Sequence, residues 1–131
     1  MEQDFRAILA GHAPLIALVG TRIYPSTYPQ GATDPAIRYQ KVSGITGLHM
    51  QGSDGLTESI MQIDVRATSA ASALAVRDVL VALLHPFRGI QGDTDFRLIK
   101  VDNDRGIRHE KPVDKDYYTA SLDVRIWSRV A

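Results

Sequence analysis

The sequence predicts an α+β fold, with an antiparallel sheet of about four strands, a long helix and N-terminal helices packed on one face, and a projecting hairpin. Three observations predict it: stretches that alternate apolar and polar residues with period two, one long apolar stretch typical of a helix, and a shorter helical pattern at the start. With 131 residues the chain suits one domain, and we expect a single domain over residues 1–131.

Residues 2–19 predict two short helices rather than one. An apolar stripe that includes Phe5 and Leu9 is interrupted at residues 11–14, where a glycine and a proline lie close together, and it then resumes. Gly20 lies where a helix C-cap is expected. Three prolines between residues 24 and 35 indicate an ordered, extended connector.

The middle of the chain predicts two strands and a loop. Residues 36–43 alternate apolar and polar side chains, and residues 44–55 contain four glycines, which is typical of a loop or a hairpin tip. Residues 61–67 alternate strictly, which indicates a strand with one packed face and one face in water.

A long helix is predicted next, capped by Thr68 or Ser69 and ending near Leu84, shortly before a proline. Its only charged residues are Arg77 and Asp78. A helix on the surface of a monomer normally has a polar side. We therefore expect this helix to be covered on both flanks, by the sheet and by either the N-terminal helices or another subunit.

The last third predicts two strands, residues 94–102 and 116–128, joined by a charged, turn-rich loop at 103–115. In the first of these strands, one face is expected to carry Phe96, Leu98 and Lys100 and the other Arg97, Ile99 and Val101. Thirteen residues of strand extend about 43 Å, whereas a domain of this size is only about 36 Å across. The hairpin therefore either projects as an arm or belongs to a strongly curled sheet. In the loop, Arg105, Arg108, Lys111 and Lys115 alternate with acidic residues, which favours either a solvated tip or an arm that docks on a partner protein.

Composition excludes several classes of function. Fifteen Lys and Arg balance fifteen Asp and Glu, so a surplus of cations for nucleic-acid phosphates is missing. Cysteine is absent, which removes disulfides, thiolate metal sites and cysteine nucleophiles. The four histidines lack metal-binding spacing. We expect no cofactor, no metal, no membrane contact and no enzymatic activity.

Two other functions remain open at the level of sequence. A small-molecule-binding or hydrolytic α+β domain would use Asp64, Arg66, Tyr117 or His109, provided that these side chains converge in one enclosed pocket. An RNA-binding sheet would use Tyr39 and Tyr117 as stacking platforms.

Several segments together resemble the tail-completion, or tail-terminator, proteins of long-tailed phages and gene-transfer particles. The likeness begins at residues 18–25 (LVGTRIYP) and continues at 29–32 (PQGA), 35–40 (PAIRYQ), 62–65 (QIDV), the alanine-rich helix and 123–126 (DVRI). Each segment alone is unspecific, but their order and spacing cover essentially the whole chain.

The resemblance implies a structural protein that forms a ring, typically a hexamer, on the head-proximal end of the tail tube. Such a ring ends polymerisation of the tube and joins tail to head. The partners implied are other copies of the chain, the tail-tube protein and a head-completion protein, with DNA only as passing cargo. The protein would be made in the bacterial host cytoplasm and reside at the head–tail junction, and it could be monomeric when free. Candidate interface residues are Arg22, Tyr24, Arg77, Arg105, Arg108, Lys111 and Lys115.

Overall fold

The computed structural model describes residues 1–31, 33–46, 56–110 and 116–131. It contains one six-stranded sheet in the order β1-β2-β3-β6-β5-β4, with helices packed on one face. The helices are α1 (Glu2–Ala10), α2 (Ala13–Val19) and α3 (Ala70–Leu84), and the strands are β1 (Ile23–Pro25), β2 (Ala36–Thr46), β3 (Thr57–Ala67), β4 (Phe87–Gln91), β5 (Thr94–Glu110) and β6 (Tyr117–Val130).

The N-terminal helices form as predicted. Gly11 follows α1, and Pro14 lies in the first turn of α2, where its missing N–H is not needed. Gly20 ends α2 with a φ of +59°, a left-handed conformation that favours glycine, and its N–H donates to the Ile16 carbonyl.

The centre of the sheet is the antiparallel pair β3 and β6, whose register runs from Thr57 opposite Ser128 to Ala67 opposite Tyr118. The alternation of side-chain orientation is confirmed in both strands, but the face predicted to lie in water is itself buried at Asp64, Thr119 and Ser121. Buried side chains on the helix side form the core together with the helices, and they comprise Met61, Ile63, Val65 and Ala67 of β3 and Ala120, Leu122, Val124 and Ile126 of β6.

The prediction of about four antiparallel strands was wrong in the number of strands and in the direction of one of them. Among the residues that the structure describes, the sheet has six strands, and β1 runs parallel to β2, with Ile23 opposite Ile37. Both missed strands are short: β1 has three residues and ends in a proline, and β4 has five residues with Gly89 at its centre. Segments of this length do not display a period.

The prediction for β5 was also wrong, in its faces and in its end. Its pairing with β6 shifts between Phe96 and Leu98, so that Phe96 and Ile99 are both buried while Leu98 changes to the other face. Residues 103–110, predicted as loop, continue the strand and pair with β6. In the part of the hairpin that the structure describes, β6 is flanked by β3 as far as Tyr118, so these strands lie within the sheet rather than projecting from it.

Ser69 caps α3, since its side chain accepts a hydrogen bond of 3.2 Å from the Ser72 N–H. One side of the helix packs on β3, β5 and β6, and α2 lies beside it. The side that faces away from the sheet stays exposed at Ala71, Ala75, Asp78 and Ala82. The helix is therefore covered by its own chain on part of its surface only.

Candidate interaction surface

We call the side of the sheet opposite the helices the outer face. In the described part of the chain no helix lies on it, and strands β2, β3, β5 and β6 point their polar side chains there. Most of its charges are paired across neighbouring strands: Arg38 with Asp64, Arg105 with Asp123 at 2.9 Å, Arg125 with Glu58 and with Asp102, and Arg129 with Asp95 at 3.2 Å. A face with such alternating charges specifies the register of a contact more than its strength.

Asp64 lies at the centre of the outer face and is only 1% exposed. Its carboxylate accepts hydrogen bonds from Arg38, from the Ser121 hydroxyl at 2.7 Å and from the Gln62 amide at 3.2 Å. Burial raises the pKa of Asp64, but the hydrogen bonds from Arg38, Ser121 and Gln62 outweigh it and hold the pKa below its ordinary value. The carboxylate is therefore ionised at neutral pH.

The connector between β1 and β2 closes over one end of this face. The Tyr28 hydroxyl donates to the Asp64 carbonyl at 3.2 Å, and burial raises the pKa of Tyr28. The Arg66 guanidinium lies 4.2 Å from the centre of the Tyr28 ring and 4.8 Å from that of Tyr117, and it pairs with Asp34 at 2.7 Å. Together these contacts fasten the connector to β3.

A shallow concavity of about 260 Å³ remains among these side chains, lined by Tyr28, Arg38, Asp64, Arg66, Arg108, Tyr117 and Thr119. Three of the four residues proposed for an enzymatic site, Asp64, Arg66 and Tyr117, thus come together, but His109 does not. His109 stacks on Tyr118 with ring centres 4.7 Å apart and contacts Asp116 at 3.2 Å.

The Asp64 carboxylate in this concavity is poorly suited to act as a general base. Both Asp64 carboxylate oxygens already accept hydrogen bonds, and a carboxylate with a lowered pKa is a weak general base.

Within residues 1–31, 33–46, 56–110 and 116–131, no three potential metal ligands are grouped. The longest described helix has 15 residues, and no described helix has the length and hydropathy of a membrane span.

The two tyrosines suggested as an RNA platform do not share a surface. Tyr39 is 6% exposed and packs edge-on against Phe5 on the helix side, with ring centres 6.3 Å apart. Tyr117 lines the concavity on the outer face. A shared stacking platform is therefore wrong for this pair.

The two interface candidates from the N-terminal part hold the connector. Arg22 Nε donates to the Pro35 carbonyl at 2.8 Å, and the Tyr24 ring packs edge-on against Tyr28 at 6.4 Å. Both side chains are half-buried. These contacts give Arg22 and Tyr24 a part in the local structure around the connector.

The remaining interface candidates do not form one patch. Arg77 reaches from α3 to Asp104 at 3.4 Å on the helix side. Arg105 and Arg108 lie on the outer face, where they contact Asp123 and Ser121. Lys111 and Lys115 lie outside the described residues.

Sequence reasoning missed two features of the outer face. Two partners of Asp64, Arg38 and Ser121, come from strands far apart in the chain, so no local spacing reveals them. A second, more apolar groove lies around Trp127 and Leu98. The only signal for it was the single tryptophan on the polar side of β6, because the irregularity in β5 hides the orientation of Leu98.

Comparison with protein families gives a match over residues 3–129 to the family described as tail completion protein gp17. The chain belongs to this family. Tail completion proteins are structural proteins of phage tail assembly and not a class of enzyme, so the protein has a structural role in the assembly of a virion tail.

Solved structures confirm that the tail completion protein shares its fold with known proteins. A chain from the virion of a native gene transfer agent particle is 18% identical, with a TM-score of 0.59, over 97% of this chain and 90% of that one. A second solved protein is 14% identical, with a TM-score of 0.51, over 96% of this chain and 95% of that one. No curated protein sequence matches the chain.

Proposed function

We propose that this tail completion protein forms a ring, with six copies as the expected number, on the head-proximal end of the tail tube. The ring ends polymerisation of the tube and then presents a surface to a head-completion protein, and DNA passes through it. The single observation that carries this proposal is the family match over residues 3–129. The protein would be made in the host cytoplasm and reside at the head–tail junction.

The two sides of the molecule support such a role. The outer face displays paired charges that suit a contact of defined register, and α3 presents an apolar surface on the opposite side. A ring needs two unlike surfaces on every subunit, because its contacts run head to tail. We propose that Arg105 and Arg108, with Lys111 and Lys115 beyond the described strands, contact another virion protein, while Arg22 and Tyr24 act through the shape of the connector.

The proposal is tested by mixing the purified protein with purified tail-tube subunits and measuring tube length by negative-stain electron microscopy. We expect short tubes of narrow length distribution, and longer tubes when the protein is omitted. Arg105→Glu serves as the surface variant and Gln3→Ala, on the exposed side of α1, as the matched control. Tubes of equal length with and without the protein would show that it does not end polymerisation.

A further inference from the structure

A groove of about 540 Å³ opens on the outer face beside Trp127. Trp127 and Leu98 line it, and they alternate with the buried Ile126 and Ile99, so they point away from the helices. Leu56 completes the apolar part of the lining. The rest of the outer face consists mainly of paired charges, so this groove is its most apolar part.

Cations outnumber carboxylates at the rim of the groove. Arg97 and Arg129 share Asp95, at 3.6 and 3.2 Å, and Arg88 is exposed and forms no ion pair with any described residue. Ile90 on the neighbouring strand is 67% exposed. Tryptophan and arginine around a desolvated centre are the side chains that dominate the binding energy of protein interfaces.

The opposite side of the molecule carries a surface of complementary character, which we call the α3 face. It consists of Ala71, Leu74, Ala75, Asp78 and Ala82, which share one arc of the helix of about 100°. Asp78 is 68% exposed and is the only charged residue on this arc. Its alanines let another backbone approach closely. At the edge of the arc, Arg77 pairs with Asp78 at 3.1 Å and with Asp104 at 3.4 Å, so that these three side chains together leave one negative charge opposite the cationic rim of the groove.

We infer that the α3 face of one copy docks in the Trp127 groove of the next copy. Both surfaces are apolar at the centre, their net charges are opposite, and they lie on opposite sides of the sheet, so that each subunit can contact two neighbours. Such a heterologous contact closes into a ring when its rotation allows. The inference rests on the proposed ring and names the two surfaces that would build it.

Because the chain contains no cysteine, disulfide trapping tests the contact directly. The double variant Ala75→Cys with Leu98→Cys places one thiol on each surface. Mild oxidation, with and without tail-tube subunits, is expected to give a ladder of covalent oligomers on a non-reducing gel. The matched control, Gln3→Cys with Leu98→Cys, moves one thiol to the exposed side of α1 and is expected to remain without a ladder.

Charge reversal in the double-cysteine background tests the chemistry of the contact. Arg88→Asp and Asp78→Lys are each expected to lower the cross-linked fraction about tenfold, and the two together are expected to restore it, because the charges then attract again. Circular dichroism checks that each variant is folded.

The inference is overturned if no ladder forms under either condition, if the control pair gives the same ladder, or if the single reversals leave the ladder unchanged. Failure of the proposed function has a different signature. In that case the double-cysteine variant forms the ladder of oligomers, but the wild-type protein does not shorten tubes. If instead the protein shortens tubes but the double-cysteine variant forms no ladder, only the inferred contact is contradicted.

Discussion

Among single residues, Asp64 bears the strongest structural constraint on the outer face. Its carboxylate is buried beside Arg38 and satisfied by three hydrogen-bonding side chains. A buried pair of this kind contributes little net stability relative to an apolar pair, but removal of one partner leaves a charge without compensation. The position therefore tolerates loss of its carboxylate poorly.

We expect Asp64→Ala to lower the free energy of unfolding by about 3 kcal/mol, measured by urea denaturation at neutral pH. Asp123→Ala is the matched control, because it removes a carboxylate from the more exposed pair with Arg105 and should cost no more than about 1 kcal/mol. An equal decrease in the free energy of unfolding in the two variants would show that burial of the Asp64 carboxylate does not matter.

The stabilisation by Asp64 should also depend on pH. Its pKa is lower in the folded protein than in the unfolded chain, where an aspartate has a pKa of about 3.9. The unfolded chain therefore takes up the proton first, so the contribution is complete above about pH 5 and is lost as the pH falls through the native pKa. The difference between wild type and Asp64→Asn, measured by denaturation from pH 7 to pH 2.5, should shrink with acidification. A stability difference that grows as the pH falls would contradict the lowered pKa of Asp64 in the folded protein.

Gly92, in the turn between β4 and β5, is constrained by its backbone and by a neighbour. Its φ is +59°, and an added Cβ would overlap the Asp4 carboxylate, which also accepts a hydrogen bond of 2.6 Å from Thr94. We expect Gly92→Ala to lower the free energy of unfolding by about 3 kcal/mol. Gly106 has a φ of +76°, but a Cβ added there would have no neighbouring atom within 4 Å. Gly106→Ala should therefore lower the free energy of unfolding only through backbone strain, by about 1 kcal/mol. Thermal denaturation distinguishes the two, and identical losses would show that the Asp4 contact is unimportant.

At the level of elements, regular alternation decided what could be predicted. Strand β6 pairs with β3 without a shift in register, and its core-facing side chains follow from the alternation in the sequence, although Thr119 and Ser121 on the opposite face are buried as well. Strand β5 shifts its pairing three times, at Phe96, Val101 and Asp104, and each shift changes which side chains reach the core. An irregularity of this kind depends on the neighbouring strand, so local sequence does not reveal it.

The site shows the same dependence on long-range pairing. The buried side of β3 could be predicted from its alternation. Asp64, however, acquires Arg38 from β2 and Ser121 from β6, and Arg66 acquires Asp34 from the connector. Asp64, Arg66 and Tyr117 were proposed for an enzymatic site, and the structure groups them around an arginine held between two aromatic rings. Residue types indicated where polar contacts would gather, whereas the role of each side chain depended on the fold.

Strand character at residues 103–110 changes what a deletion should do. If this segment were a loop, removal of residues 104–114 would alter stability little. Instead it pairs with β6 from Asp104 opposite Leu122 to Glu110 opposite Tyr117, and Ile107 packs against the core. We expect the deletion to accelerate amide hydrogen exchange in residues 118–122 at least tenfold, measured by mass spectrometry. The rate for residues 61–65 serves as the internal control, and unchanged exchange at 118–122 would mean that the pairing does not protect β6.

For the whole molecule, stability and assembly should respond to different substitutions, because the core lies on one side of the sheet and the paired charges on the other. Arg105 is about half-exposed and contacts only one carboxylate among the described residues. Arg105→Glu should therefore change the free energy of unfolding by no more than about 1 kcal/mol. Leu80→Ala, by contrast, removes a fully buried side chain of α3 and should cost about 2–5 kcal/mol.

Under the proposed function, Leu80→Ala, which has the larger effect on stability, should have the smaller effect on assembly. Particles that lack the protein should have overlong or headless tails, and plasmid-supplied Leu80→Ala should restore normal particles at a temperature where it remains folded, because its surface is unchanged. Arg105→Glu should fail to restore them although it is more stable, since it reverses a charge on the outer face. Electron microscopy of the particles measures both outcomes. Full restoration by Arg105→Glu would remove Arg105 from the interface, because a charge reversal within a docked face leaves two like charges in contact.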